Sequence, residues 1–149
     1  MAKNTKLTQF EYLAAFFEFN GSIRFKIIES KKKSFKSFEL QVSLKLEFLK
    51  SRLDLYNEYD FFPRGYSPKN NKKKDSNYTI LIVNDSRSVC NFLEGIKEHL
   101  LYENNQNLVK DSLYILKMEL ENYDNSIKNF IYCCELAEKI NKSQQFRTS

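Results

Sequence analysis

From Phe38 to Phe48 the chain alternates without a break. Phe38, Leu40, Val42, Leu44, Leu46 and Phe48 fall on one side, and Glu39, Gln41, Ser43, Lys45 and Glu47 on the other. A period of two is a strand, and strict apolar–polar alternation belongs to an antiparallel sheet with one buried and one open face. The rest of the chain must therefore supply cover for one face only. Ser22–Ser30 alternates less cleanly, with Ile23, Phe25 and Ile27 against Arg24, Lys26 and Ile28. The basic run Lys31-Lys32-Lys33-Ser34-Phe35-Lys36 joins the two strands as a turn, giving a long hairpin. Tyr78–Asn84 (YTILIVN) reads as a further strand, and Phe61–Tyr66 as a short one interrupted by Pro63.

Helical segments fill the remainder. Thr8 is placed to cap a first helix, with Glu11 as its capping-box partner. This leaves residues 1–7 as a loose arm. The helix runs to about Phe19, and Gly21 sits where a C-cap would. Leu49–Tyr59 reads as a short helix and Ser67–Ser76 as a polar, basic loop. Asp85 or Ser86 caps a helix to about Leu101. Two more follow, Gln106–Glu121 and Asp124–Asn141, with apolar spacing at Leu108, Leu113, Leu116 and Leu120, then Ile127, Phe130, Ile131 and Leu136. The chain has only Gly 3 and Pro 2, which favours long regular elements. The expectation is one α+β domain over residues 1–149, built as a single α-β-β-α-β-β-α unit. Its four-stranded antiparallel sheet is curved, C-terminal helices occupy 104–141, and a polar tail covers 142–149.

Several functions are excluded early. Cys90, Cys133 and Cys134 are too few and too badly spaced for a disulfide framework or a structural zinc site. They read as apolar filling. His99 is the only histidine, so no histidine-based catalytic constellation is available. No stretch has the length of a membrane span, and MAKNTKLTQ has no signal or transit pattern. The net charge of +5 favours a polyanionic partner. The composition leans on Lys, Asn, Ile, Phe and Tyr, which suits an AT-rich organellar genome.

The joint between the first helix and first strand carries a resemblance. Leu13-Ala14-Ala15-Phe16-Phe17-Glu18-Phe19-Asn20-Gly21 overlays the nine-residue motif of the LAGLIDADG homing endonucleases, and Ser22-Ile23 continues it. Ser76–Leu81, Asn91-Phe92-Leu93 and Asn105–Val109 resemble later family segments in the right order. The chain is similar to single-motif organellar members of that family. These are implied to be homodimers that lay a saddle-shaped sheet in the DNA major groove, with motif acids holding divalent metal. The eighth motif residue, the metal-binding acid, is Asn20 here. Glu18 lies about 200° around the helix from Asn20 at about 100° per residue, so it should point elsewhere, as a helix-end or dimer-interface group. Other family catalytic positions fall near Lys50, Asp54 and Tyr102, which do not match.

The resemblance implies a nucleic-acid-binding open face carrying Arg24, Lys26, Gln41, Ser43 and Lys45. Two basic loops add Lys31, Lys32, Lys33 and Lys36, then Arg64, Lys69, Lys72, Lys73 and Lys74, with Phe35 and Tyr66 placed to stack on bases. The expected function is that of a catalytically inactive, structural RNA-binding component of an organellar ribosome or similar ribonucleoprotein. It needs no cofactor and has no membrane partner. Its location is expected to be mitochondrial, with the plastid as alternative. The alternative function is an intron-encoded, Mg²⁺-dependent homodimeric endonuclease, or a maturase. Protein contacts, to itself or to other subunits, are expected through the Ala14–Ala15 helix.

Overall fold

Helix α1 (Ala2–Asn20) runs straight into strand β1 (Gly21–Glu29). The computed structural model describes residues 2–30, 38–49, 69–70 and 78–144. The helix starts at Ala2 and not at Thr8. Residues 2–7 contain no Gly or Pro, so nothing stops the first turns extending upstream. Leu13, Ala14 and Phe17 are fully buried on the face toward the sheet. Gly21 is needed for space. Its backbone is outside the left-handed region, so it is not the C-cap expected from sequence. A Cβ there would collide with the Phe17 ring and lie 2.9 Å from the Phe17 carbonyl oxygen and 3.0 Å from Leu46 Cδ2. Gly21→Ala should therefore cost roughly 1–3 kcal/mol, the usual range for overpacking. A urea-unfolding midpoint equal to wild type would refute this packing role.

Strand β2 (Phe38–Leu49) pairs antiparallel with β1, with Ile23 opposite Leu44 and Phe25 opposite Val42. Its other edge pairs with β4 (Tyr78–Val83). The expected fourth strand is reduced to two residues, β3 (Lys69–Asn70), opposite Ile80 and Thr79. These residues lie within the segment read from sequence as a loop, and they occupy the β4 edge. The order is β1-β2-β4-β3. Leu40, Val42, Leu44 and Leu46 are buried as their alternation predicts, whereas Phe38, at the strand end, is exposed. The Phe61–Tyr66 strand, the two basic loops apart from Lys69, and the Leu49–Tyr59 helix beyond Leu49 lie outside the described residues. Leu49 itself belongs to β2.

Three helices follow. Asp85 caps α2 (Ser86–Ile96), accepting from Ser88 N at 3.0 Å and Ser88 Oγ at 2.6 Å. A 3₁₀ turn at Lys97–His99 ends this helical run short of Leu101. Helix α3 (Glu103–Leu120) and helix α4 (Ile127–Ser143) form an antiparallel hairpin. Leu108, Leu113, Leu116 and Phe130 are buried as expected, while Leu120, Ile127 and Ile131 are exposed. The core positions are taken instead by Val109, Ile115, Cys133, Ala137 and Ile140.

The hairpin turn explains the late start of α4. Asn122, Tyr123, Asp124 and Asn125 all have φ between 51° and 55°, a left-handed turn without glycine. Asn and Asp tolerate this conformation. Tyr123 is held in it by burial edge-to-face against Phe130 at 5.1 Å. Its carbonyl accepts from Ser126 N at 3.0 Å and Asn129 Nδ2 at 3.1 Å.

Two amides near the end of α4 meet the outer edge of β1. Asn141 Oδ1 accepts from Phe25 N at 3.0 Å, and its Nδ2 donates to Phe25 O at 2.8 Å. Gln144 Oε1 accepts from Ile23 N at 2.8 Å, and its Nε2 donates to Ile23 O and to Ile140 O. Each side-chain amide thus mimics a peptide of a neighbouring strand. Gln144, read from sequence as part of the polar tail, is buried.

All three cysteines are free. Burial raises each thiol above its ordinary value, Cys133 to about 11, so they are poor nucleophiles. Among the described residues no helix is long and apolar enough to cross a membrane.

Candidate nucleic-acid interface

The sheet face away from the helices carries the residues expected there. Across the β1–β2 register Ser22 stands opposite Lys45, Arg24 opposite Ser43, Lys26 opposite Gln41 and Ile28 opposite Glu39. Lys45 also faces Ile82 of β4, and Glu47 faces Ile80. Arg24, Lys26, Gln41 and Lys45 are exposed, and Ser43 is half-buried. Strand geometry causes this placement: Ile23, Phe25, Leu40, Val42, Leu44 and Leu46 are buried toward the helices and their alternate neighbours are left outward, Ile28 among them, while Ile27, expected on the buried side, is exposed near the strand end. Among the described residues, none of the three cations forms an ion pair. Glu39 and Glu47 share the face, so its electrostatic pull on a polyanion is partial. Lys31, Lys32, Lys33, Lys36, Arg64, Lys72, Lys73 and Lys74 lie outside the described residues. Lys69 is fixed only as the register partner of Ile80.

At one end of this face lies the α1–β1 joint. Asn20, the last residue of α1, is exposed. Glu18 turns inward, as its helical angle requires, and is 8% exposed. Its carboxylate accepts from Leu101 N at 2.7 Å, Tyr102 N at 3.0 Å and Asn105 Nδ2 at 2.9 Å. It is thus a helix-end group, but for another helix. Tyr102, the N-cap residue of α3, makes no side-chain cap of its own. Glu18 supplies the missing acceptor from across the fold, at the end where a helix favours negative charge. Gln106 Nε2 donates to Leu100 O at 2.8 Å and ties the same segment.

Magnesium is ordinarily held by one or two carboxylates together with waters and substrate phosphates. The joint offers one neutral amide carbonyl, on Asn20, and the nearby carboxylate is already shared among three N–H donors. Among the described residues no group of three or more His, Cys, Asp or Glu could hold a metal ion. The donor set does not fit magnesium, and no hydrolytic step is derived through it. Of the other positions expected to be catalytic, Lys50 and Asp54 lie outside the described residues, and Tyr102 is an exposed phenol.

The Ala14–Ala15 pair is split. Ala14 is buried in the chain's own core and only Ala15 is open. With Tyr12 and Phe19 it leaves an exposed stripe along α1. Phe19 is 72% exposed and meets Tyr102 edge-to-face at 6.4 Å, and Leu101 beside it is 82% exposed. Sequence reasoning missed this cluster because it ran the preceding helix on to about Leu101, whereas the structure ends that run at His99 and leaves Leu101 and Tyr102 in a short connector. It also missed Asn105 as the partner of Glu18, although the motif-like Asn105–Val109 stretch was visible.

No family model and no curated protein matches the sequence. Solved structures match the fold. An archaeal intron-encoded homing endonuclease, I-Vdi141I, complexed with DNA, has a TM-score of 0.71 at 14% identity, over 91% of this chain and 84% of its own. The homing endonuclease I-CvuI in complex with its target gives 0.69 at 17% identity, over 95% and 85%. The LAGLIDADG homing endonuclease I-SmaMI, bound to cleaved DNA, gives 0.63 at 13% identity, over 85% of this chain and 42% of its own. The chain has the fold of the LAGLIDADG homing endonucleases.

Proposed function

We propose that this protein binds nucleic acid on its open sheet face without cutting it, as a structural RNA-binding component of an organellar ribonucleoprotein. A mitochondrial ribosome is the assembly that its composition suits. The observation that carries this reading is the α1–β1 joint, where Asn20 is neutral and the Glu18 carboxylate is committed to the end of α3. Support for nucleic acid as partner comes from the neighbours solved with DNA and from Arg24, Lys26 and Lys45 on one face. Support for RNA comes from the lost cutting chemistry and from Phe35 and Tyr66 among basic residues.

The test is a combined binding and cleavage assay on the purified chain with magnesium, using structured RNA and a duplex DNA target library, for wild type and Asn20→Asp. The expected result is binding without cleavage by wild type, tighter for RNA. Contacts from the three sheet cations alone give a slope of log affinity against log salt of about −2 to −3, at about 0.7–0.9 per phosphate. Cleavage by wild type would overturn this reading in favour of an endonuclease. Splicing of a cognate intron stimulated by the protein would favour a maturase.

A further inference from the structure

The α1–β1 joint has lost the donor set of a metal site, yet its remaining side chains are not an inert remnant. Phe19 and Tyr102 are both large, aromatic and exposed, and their near-perpendicular packing, at 83°, leaves ring face open. Their backbones are tied together across the joint. Tyr102 N is held by the Glu18 carboxylate, and Phe19 is the next residue after Glu18 on the same helix. The exposed amide of Asn20 follows, and then the open sheet face begins with Ser22 opposite Lys45.

From this juxtaposition we infer that the Phe19–Tyr102 corner is a stacking site for one unpaired nucleobase. Asn20 reads the base edge, and the cations of the adjoining sheet face hold the strand's phosphates. Aromatic faces accept any base, and an asparagine amide matches the donor–acceptor pair of adenine. The occupant is thus an unpaired adenine within an RNA or DNA strand. The inference rests on the proposal that the sheet face binds nucleic acid. It is favoured over a second copy of the chain on α1 by continuity with that cationic face, since Phe19 adjoins Asn20 and the sheet. Tyr12 and Ala15 lie farther back along the helix.

The test measures binding of the full chain, by fluorescence anisotropy, to an adenine-rich single strand, its uracil- or thymine-rich counterpart and the duplex of the two, each as RNA and as DNA. Phe19→Ala and Tyr102→Ala are each expected to weaken single-strand binding by about tenfold or more, leaving duplex binding within twofold. Tyr102→Phe should retain wild-type affinity, and Asn20→Ala should abolish the preference for adenine. The RNA and DNA arms identify which strand supplies the base. Equal binding of all strands by wild type and by both alanine variants overturns the inference while leaving the proposed function standing. Absence of any nucleic-acid binding by wild type removes both. A wild-type dimer that Phe19→Ala dissociates, read by sedimentation, assigns the corner to a second copy and also overturns the inference.

Discussion

Glu18→Ala should lower the unfolding free energy by about 3–5 kcal/mol. The substitution removes a nearly buried carboxylate that accepts from two backbone N–H groups and one side-chain amide. Hydrogen bonds to a charged group contribute about 1.5–3 kcal/mol each, and a buried donor left without an acceptor costs about 1–3 kcal/mol. The charge also lies at the start of α3, where it gains up to about 2 kcal/mol from the helix dipole. These contributions overlap, so their simple sum is an upper bound. Glu18→Gln keeps one acceptor oxygen and should lose about half as much. Urea unfolding of the three proteins measures both effects. An alanine variant within about 0.5 kcal/mol of wild type, the range of an unremarkable surface change, would show that the clamp contributes nothing.

The double substitution Asn141→Ala, Gln144→Ala should cost about 3–4 kcal/mol and change the solution behaviour of the protein. Four bonds to the β1 backbone disappear, at about 1 kcal/mol net for each. The outward N–H and C=O groups of Ile23 and Phe25 are then unpaired, and an unpaired strand edge templates pairing with another chain. Sedimentation velocity should therefore show larger species that grow with concentration and are absent from the wild type under the same conditions. Urea unfolding gives the stability arm. Wild-type stability with no new species would mean that water replaces the two amides without penalty.

How much of this could be read beforehand depended on periodicity. The Phe38–Phe48 alternation set the central strand, its buried face and the outward placement of Gln41, Ser43 and Lys45. The start of α2 was narrowed to Asp85 or Ser86 because such a cap is a local device, and the structure selects Asp85. Residues acting over long distances left no such trace. Nothing local separates Gln144 from the polar tail around it, because its role is defined by a strand more than a hundred residues earlier. The left-handed turn was invisible for a related reason. Its four residues are held positive in φ by burial of Tyr123, and without that tertiary contact Asp124 reads as an ordinary helix cap. At the candidate site, the overlay on the motif located Asn20 and the angle argument turned Glu18 away from it. The Phe19–Tyr102 corner required the fold, since the two residues meet only when α3 docks on the end of α1.

The seal on β1 also imposes an order of events during synthesis. Phe25 and Ile23 find their outer partners 116 and 121 residues later in the chain. At about 5–20 residues per second, β1 is translated on the order of ten seconds before those amides exist. During that interval β1 and β2 can already pair as a hairpin, which closes in microseconds, while the outer edge of β1 faces the surroundings. A nascent chain is thus exposed to edge-to-edge association until α4 arrives. The last helix ends that vulnerable period.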